Sequence, residues 1–187
     1  MGFAKTKHPK IALPKDHTLL RQTYEKTEAI DKVHVIKLST FADDYGGWFK
    51  ETLRLTPKGY VQALYDLGVK FKFVQTNMSF LAPKTKRFWH IHPNQSEIWT
   101  TNGTILLGLI DFRPKSKTYL KKMKVVLSQD KAIYIPNGVA HGFLNPNSKS
   151  VTLTYFTDYY FVADENTQEC RISPKKLSYK FVKPETL

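Results

Sequence analysis

Residues 87–97 read Arg87-Phe88-Trp89-His90-Ile91-His92-Pro93-Asn94-Gln95-Ser96-Glu97, and the alternation inside this stretch decides the fold. His90 and His92 are two residues apart, so a strand aims both imidazoles at one face. Pro93-Asn94 reads as a tight turn, which lets Glu97 on the returning strand approach the same point. Farther along, the turn Pro136-Asn137-Gly138 delivers His141 onto the start of another strand. Three imidazoles and one carboxylate can then converge on the inside of a β structure. Such donors suit Fe, Mn, Ni, Cu or Zn, and the sequence does not choose among them. The alternative is that the same side chains line a water-filled pocket without metal.

Outward from this stretch, short runs rich in β-branched and aromatic residues recur between turn residues. They cover 33–39, 48–55, 71–80, 86–92, 97–101, 104–112, 122–128, 131–135 and 150–160. One helix interrupts them: Thr56 caps it, Pro57 opens it, Tyr60, Val61, Leu64 and Tyr65 give its apolar face, and Gly68 ends it. Residues 1–30 are polar and irregular, with an amphipathic stretch around Leu19, Leu20 and Tyr24, and read as an N-terminal extension to a domain over 31–187. With 13% aromatic residues, nine glycines and ten prolines, the chain suits a turn-rich β architecture.

The pair H-x-H-x4-E and P-x-G-x2-H-x3-N resembles the two motifs of metal-binding cupins. The expected fold class is therefore all-β, a cupin jelly-roll barrel (double-stranded β-helix) with one or two short helices. In that frame His90, His92, Glu97 and His141 are the candidate metal ligands.

A longer resemblance runs from Val33 to Tyr160. Phe41–Glu51 resembles an F-x-D-x-R-G-x-F-x-E element, Phe73–Ser79 an F-V-Q-x-N-x-S strand, and Arg87 with His90 an R-x-x-H motif. Gly103–Arg113 resembles a strand ending in D-x-R, Tyr134–Phe143 a Y-I-P-x-G-x-A-H-G-F segment, and Thr157–Tyr160 a T-x-Y-Y segment. In this order the segments are similar to the dTDP-4-dehydrorhamnose 3,5-epimerase family. The resemblance implies a dTDP-linked 4-keto-6-deoxyhexose as substrate, with protons beside the ketone removed and returned on the opposite face. It makes His90 the catalytic base with His141 nearby. Gln75, Asn77 and Arg87 would hold the diphosphate, Glu51 the nucleotide end, and Tyr160 a further part of the substrate. It also implies a homodimer and no organic cofactor.

The chain departs from that pattern at several places. Where the epimerases carry Gln and Lys it carries His92 and Glu97, so the family's lysine is absent. Thr154 falls where the proton-donating tyrosine belongs, and Tyr155 is expected to face the other way. The arginine of the opening element is replaced by Gly46 or Tyr45. A metal held by all four ligands would occupy the His90 lone pair, so His90 could not be both ligand and base in one complex. Two other functions compete: a metal-dependent cupin of another reaction class, such as an oxygenase or simple-sugar isomerase, and a non-catalytic sugar- or nucleotide-binding module.

The remaining features read as structural. Trp48, Trp89 and Trp99 are expected in the core, and Asp111 and Arg113 as a salt bridge. The net charge of +13 is concentrated in the first 26 residues, in Lys115–Lys124 and in Lys175–Lys183. No nucleic-acid-binding motif accompanies it, so solvated surface is expected and no nucleic-acid partner. Cys170 stands alone and is expected to be inert. No apolar run approaches the roughly 20 residues of a bilayer span, so neither a membrane partner nor a disulfide is expected, and the cytoplasm is the expected location.

Overall fold

The computed structural model describes residues 28–160 and the pair 170–171. The amphipathic stretch at Leu19, Leu20 and Tyr24, the C-terminal lysines and the Cys170 side chain lie outside the described residues. Alternation of period two builds two five-stranded antiparallel sheets. The first has the order β1 (His34–Lys37), β9 (Lys131–Ile135), β6 (Glu97–Thr101), β11 (Val151–Thr157) and β4 (Gln75–Leu81). The second runs β12 (Cys170–Arg171), β5 (Lys86–Ile91), β10 (Val139–Leu144), β7 (Ile105–Asp111) and β8 (Lys122–Leu127). A separate hairpin joins β2 (Ser39–Ala42) to β3 (Trp48–Glu51). This is the jelly-roll expected from the sequence.

The inward residues of both sheets form one core. Leu81, Trp99, Ile133, Ile135, Val151 and Leu153 from the first sheet meet Leu107, Leu109, Val125, Leu127, Val139 and Phe143 from the second. Ile30 joins them at 2% exposure. Full burial of such side chains stabilises by about 1.5–3 kcal/mol each before entropy is charged. Outside the first sheet, Ile98, Ala132 and Tyr134 pack under Leu38, Val61, Leu64 and Phe71. Trp89 fills a smaller cluster with Ile110 and Ala140, as expected of a core tryptophan, whereas Trp48 is exposed.

The helix is shorter than its apolar pattern predicts. Tyr60 N–H donates to Thr56 Oγ1 at 3.0 Å and Gly59 N–H to the Thr56 carbonyl at 2.8 Å. Gly59, with φ +78°, closes this turn in a left-handed conformation incompatible with a continuing helix. Thr56 thus caps a turn, and α1 spans only Gln62–Tyr65. Gly68, with φ +80°, ends it as expected. No helix among the described residues is long and apolar enough to cross a membrane.

The Asp111–Arg113 pair is structural. Arg113 Nε and Nη2 donate to the two Asp111 carboxylate oxygens at 2.8 Å each, and Ser116 and Thr118 hydroxyls donate at 2.6 and 2.7 Å. Burial raises the Asp111 carboxyl, but these bonds together outweigh it and hold the group well below the usual carboxylate range.

Candidate functional site

Between the sheets, where the core gives way to polar side chains, lies a cavity of ≈ 350 Å³. The first sheet contributes Gln75, Asn77 and Ser79 from β4, Glu97 and Trp99 from β6, and Leu153 and Tyr155 from β11. The second contributes Arg87 and His90 from β5 and His141 and Phe143 from β10, with His92 and Gln95 on the connection that follows β5.

Arg87 and His90 are three residues apart, and a regular strand would send them to opposite faces. A bulge reconciles them. His141 pairs with His90, yet Phe143 pairs with Arg87, so two steps on β10 match three on β5. The extra residue turns the strand and brings both side chains to the cavity. Gly142 lies against this bulge: a Cβ there would stand 2.5 Å from Phe88 Cδ1 and 3.0 Å from the Arg87 carbonyl oxygen. The glycine of the H-G-F segment is therefore a packing requirement.

Glu97 is 3% exposed and accepts two hydrogen bonds, from Gln95 Nε2 on Oε1 and from Trp99 Nε1 on Oε2, each at 2.6 Å. His92 Nε2 stands 3.4 Å from Oε1 and His141 Nε2 3.8 Å from Oε2. Burial pushes the Glu97 carboxyl up, opposed by His92, by the bonds from Trp99 and Gln95, and by His90. Burial pulls His141 down to about 3, helped by the charge of His90 and opposed by the bond to the Val139 carbonyl. His141 is thus a neutral imidazole at ordinary pH.

His92, Glu97 and His141 each place one donor atom within 4.8 Å of the others. His90 stands outside this trio, its ring centre 6.5 Å from that of His92 and 6.2 Å from that of His141. Gln75 Nε2 donates to Asn77 Oδ1 at 2.7 Å, orienting both amides on the first-sheet wall of the cavity that Arg87 lines from the second sheet.

Two of the residues singled out in the sequence are not at this cavity. Glu51 lies on the β2–β3 hairpin, where its carboxylate accepts from Arg54 Nε at 2.5 Å and Nη2 at 3.0 Å. Tyr160 is 64% exposed.

Tyr155 corrects an expectation. It pairs with Asn77 on β4 and Trp99 on β6, both cavity residues, and lines the cavity itself. Thr154 is absent from the lining, and the next residue, Phe156, packs with Phe73 outside the sheet at 5.1 Å between ring centres. Within β11, Val151, Leu153 and Thr157 are the most buried residues, and Tyr155 shares their period. Ser79, two residues beyond Asn77, and Trp99, two beyond Glu97, were available by the same count.

Comparison with known proteins agrees with this arrangement. The family model for dTDP-4-dehydrorhamnose 3,5-epimerase matches residues 27–184. The spore coat polysaccharide biosynthesis protein SpsL of Bacillus subtilis is 30% identical over 139 residues, covering 73% of this chain and 85% of that protein. The dTDP-4-dehydrorhamnose 3,5-epimerase of Escherichia coli is 28% identical over 137 residues, 70% of this chain and 71% of the enzyme. An RmlC homolog of Streptococcus pyogenes is 28% identical over 125 residues, or 65% of this chain, and the chain spans 60% of that relative's length. Among solved structures, the Bacillus anthracis epimerase with TDP and PPi bound superposes with a TM-score of 0.68 at 26% identity, covering 82% of this chain and 88% of that one. The Legionella pneumophila epimerase in complex with dTDP-4-keto-L-rhamnose gives 0.65 at 25% identity, covering 78% and 75%. Matched over that length, and with Arg87, His90 and His141 of its motif segments folded onto one cavity, the chain belongs to the dTDP-4-dehydrorhamnose 3,5-epimerase family.

Proposed function

We propose that the chain epimerises a dTDP-linked 4-keto-6-deoxy sugar in this cavity. One observation carries the reading: His90 belongs to the second sheet and Tyr155 to the first, so the two line the cavity from facing walls. A sugar ring between them meets an imidazole on one face and a phenol on the other. His90 takes the proton from a carbon beside the ketone, and the C–H electron pair moves onto the carbonyl oxygen as an enolate. Tyr155 then gives its phenolic proton to the opposite face of that carbon as the carbonyl reforms. The phenol regains a proton from solvent and the His90 imidazolium gives its proton up to solvent, so the net reaction is an isomerisation.

Arg87, Gln75 and Asn77 supply guanidinium and amide donors for the diphosphate. His141, neutral and buried, stands beside His90 on the same wall and faces Glu97. The reaction needs no organic cofactor.

The functional unit in this reading is a homodimer. Among the described residues β4 is an edge strand whose outer face exposes Met78 and Phe80 at 71% and 67%, and the β2–β3 hairpin exposes Phe41, Trp48 and Phe49. A second copy covers these apolar faces, and Glu51 on the hairpin then serves the neighbouring pocket. Light scattering after gel filtration checks the mass. Incubation with dTDP-4-keto-6-deoxyglucose, followed by NMR of the sugar, tests the activity. Conversion to a C3- or C5-epimer supports it, and unchanged substrate overturns it.

A further inference from the structure

We infer that His92, Glu97 and His141 form a binding site for one divalent transition-metal ion in the wall of this cavity. The lone pairs of these side chains face one another. A backbone carbonyl only accepts, so the 3.2 Å contact of His141 Nδ1 with the Val139 carbonyl places the ring hydrogen on Nδ1. The neutral ring then presents its Nε2 lone pair to Glu97 Oε2 at 3.8 Å. An acceptor aimed at a buried carboxylate is repulsive unless a proton or a metal cation lies between them, and 3.8 Å is too long for a proton shared in a hydrogen bond. His92 Nε2, at 3.4 Å from Oε1, completes the trio.

The outer contacts are those of a ligand set. A metal-bound histidine commonly donates its second ring N–H to a carbonyl, and metal-bound carboxylates are themselves hydrogen-bonded. Here Val139 serves His141, while Gln95 and Trp99 serve Glu97. An ion bonding N and O at roughly 2.0–2.2 Å has donors roughly 3–3.5 Å apart, and the trio lies within 4.8 Å. Two imidazoles and one carboxylate are borderline donors suited to Zn, Fe, Ni or Mn. Among the described residues three donors converge, so the ion keeps coordination sites open toward the cavity.

The site stands on its own geometry, while its role rests on the epimerase reading. His90 is outside the trio, so a metal there leaves the assigned base out of the coordination set. A bound divalent ion supplies positive charge where the resemblance calls for the lysine that Glu97 replaces.

The test uses full-length protein purified without a polyhistidine tag, stripped with EDTA and titrated separately with Zn²⁺, Mn²⁺, Ni²⁺ and, without oxygen, Fe²⁺. Bound metal is counted by elemental mass spectrometry after gel filtration, and melting temperature is followed in parallel. The expected result is about one ion of at least one of these metals per wild-type chain and a raised melting temperature. Glu97→Gln and His92→Gln should bind at least 10-fold more weakly, while His90→Ala keeps full stoichiometry. Circular dichroism of the stripped proteins identifies any variant that fails to fold, in which case the other variant decides. Wild type that retains less than about a tenth of an equivalent of every metal, or variants that bind as wild type does, would overturn the site. If solvent-hydrogen exchange into the sugar persists in metal-free protein, the metal's role fails while the epimerase reading stands. If metal binds and no exchange occurs, the site stands and that reading fails.

Discussion

Gly142 lies so close to Phe88 that a Cβ on it would stand 2.5 Å from the ring. The contact holds the β5 bulge that sends Arg87 and His90 into the same cavity. Gly142→Ala must push the Phe88 ring or the Arg87 carbonyl aside. Overpacking of this kind costs about 1–3 kcal/mol, and displacement of the bulge by roughly 1 Å lowers turnover about 100-fold. Thermal melts and the epimerase assay together check both effects. A variant with wild-type stability and rate would show that the bulge does not depend on the glycine.

Arg87 supplies a guanidinium to the cavity from the second sheet, and Gln75 and Asn77 supply amides from the first. Charge-assisted bonds to phosphate are worth about 1.5–3 kcal/mol, so Arg87→Ala is expected to weaken dTDP binding roughly 10- to 100-fold. Wild-type affinity should fall with added salt, and the variant's should fall less. Isothermal titration at two ionic strengths measures both quantities.

Asp111 is fully buried and ties Arg113, Ser116 and Thr118 together. Asp111→Ala leaves Arg113 without its bidentate partner and is expected to cost about 3–5 kcal/mol. Its pH dependence has a definite sign. The folded carboxyl sits below its unfolded value, so its stabilisation is present above the unfolded value of about 3.9 and is lost as pH falls from there through the lower folded value. The wild-type melting temperature should therefore drop between pH 5 and pH 2 more steeply than that of the variant. Parallel acid slopes would show that the carboxylate is not held low by the folded state.

The fold was legible because its signals are local. Alternation in β4 puts Gln75, Asn77 and Ser79 on the cavity side and Met78 and Phe80 outside, and the two histidine motifs marked the barrel interior. The facing of β11 was not legible from its length. It depends on the register of Tyr155 against Asn77 and Trp99, which lie far away in sequence. The β5 bulge was hidden for the same reason, since an extra residue in a ladder appears only against its partner. The long helix failed locally, because Gly59 sits inside an otherwise helical apolar pattern and closes a turn there. The separation of His90 from the other three candidate ligands is a matter of a few ångströms, a scale on which residue spacing carries no information.

The most direct test of the account follows dTDP-4-keto-6-deoxyglucose in D₂O by NMR with wild type, His90→Asn and Tyr155→Phe. Wild type is expected to incorporate solvent deuterium beside the ketone with inversion, and His90→Asn to lose both by at least 100-fold, within the range of general acid–base catalysis. Tyr155→Phe should still exchange the proton but invert it at least 10-fold more slowly, because deprotonation remains while the opposite-face donor is gone. Absence of exchange in wild type, or inversion at the wild-type rate in Tyr155→Phe, would contradict the assignment of base and acid to the facing walls.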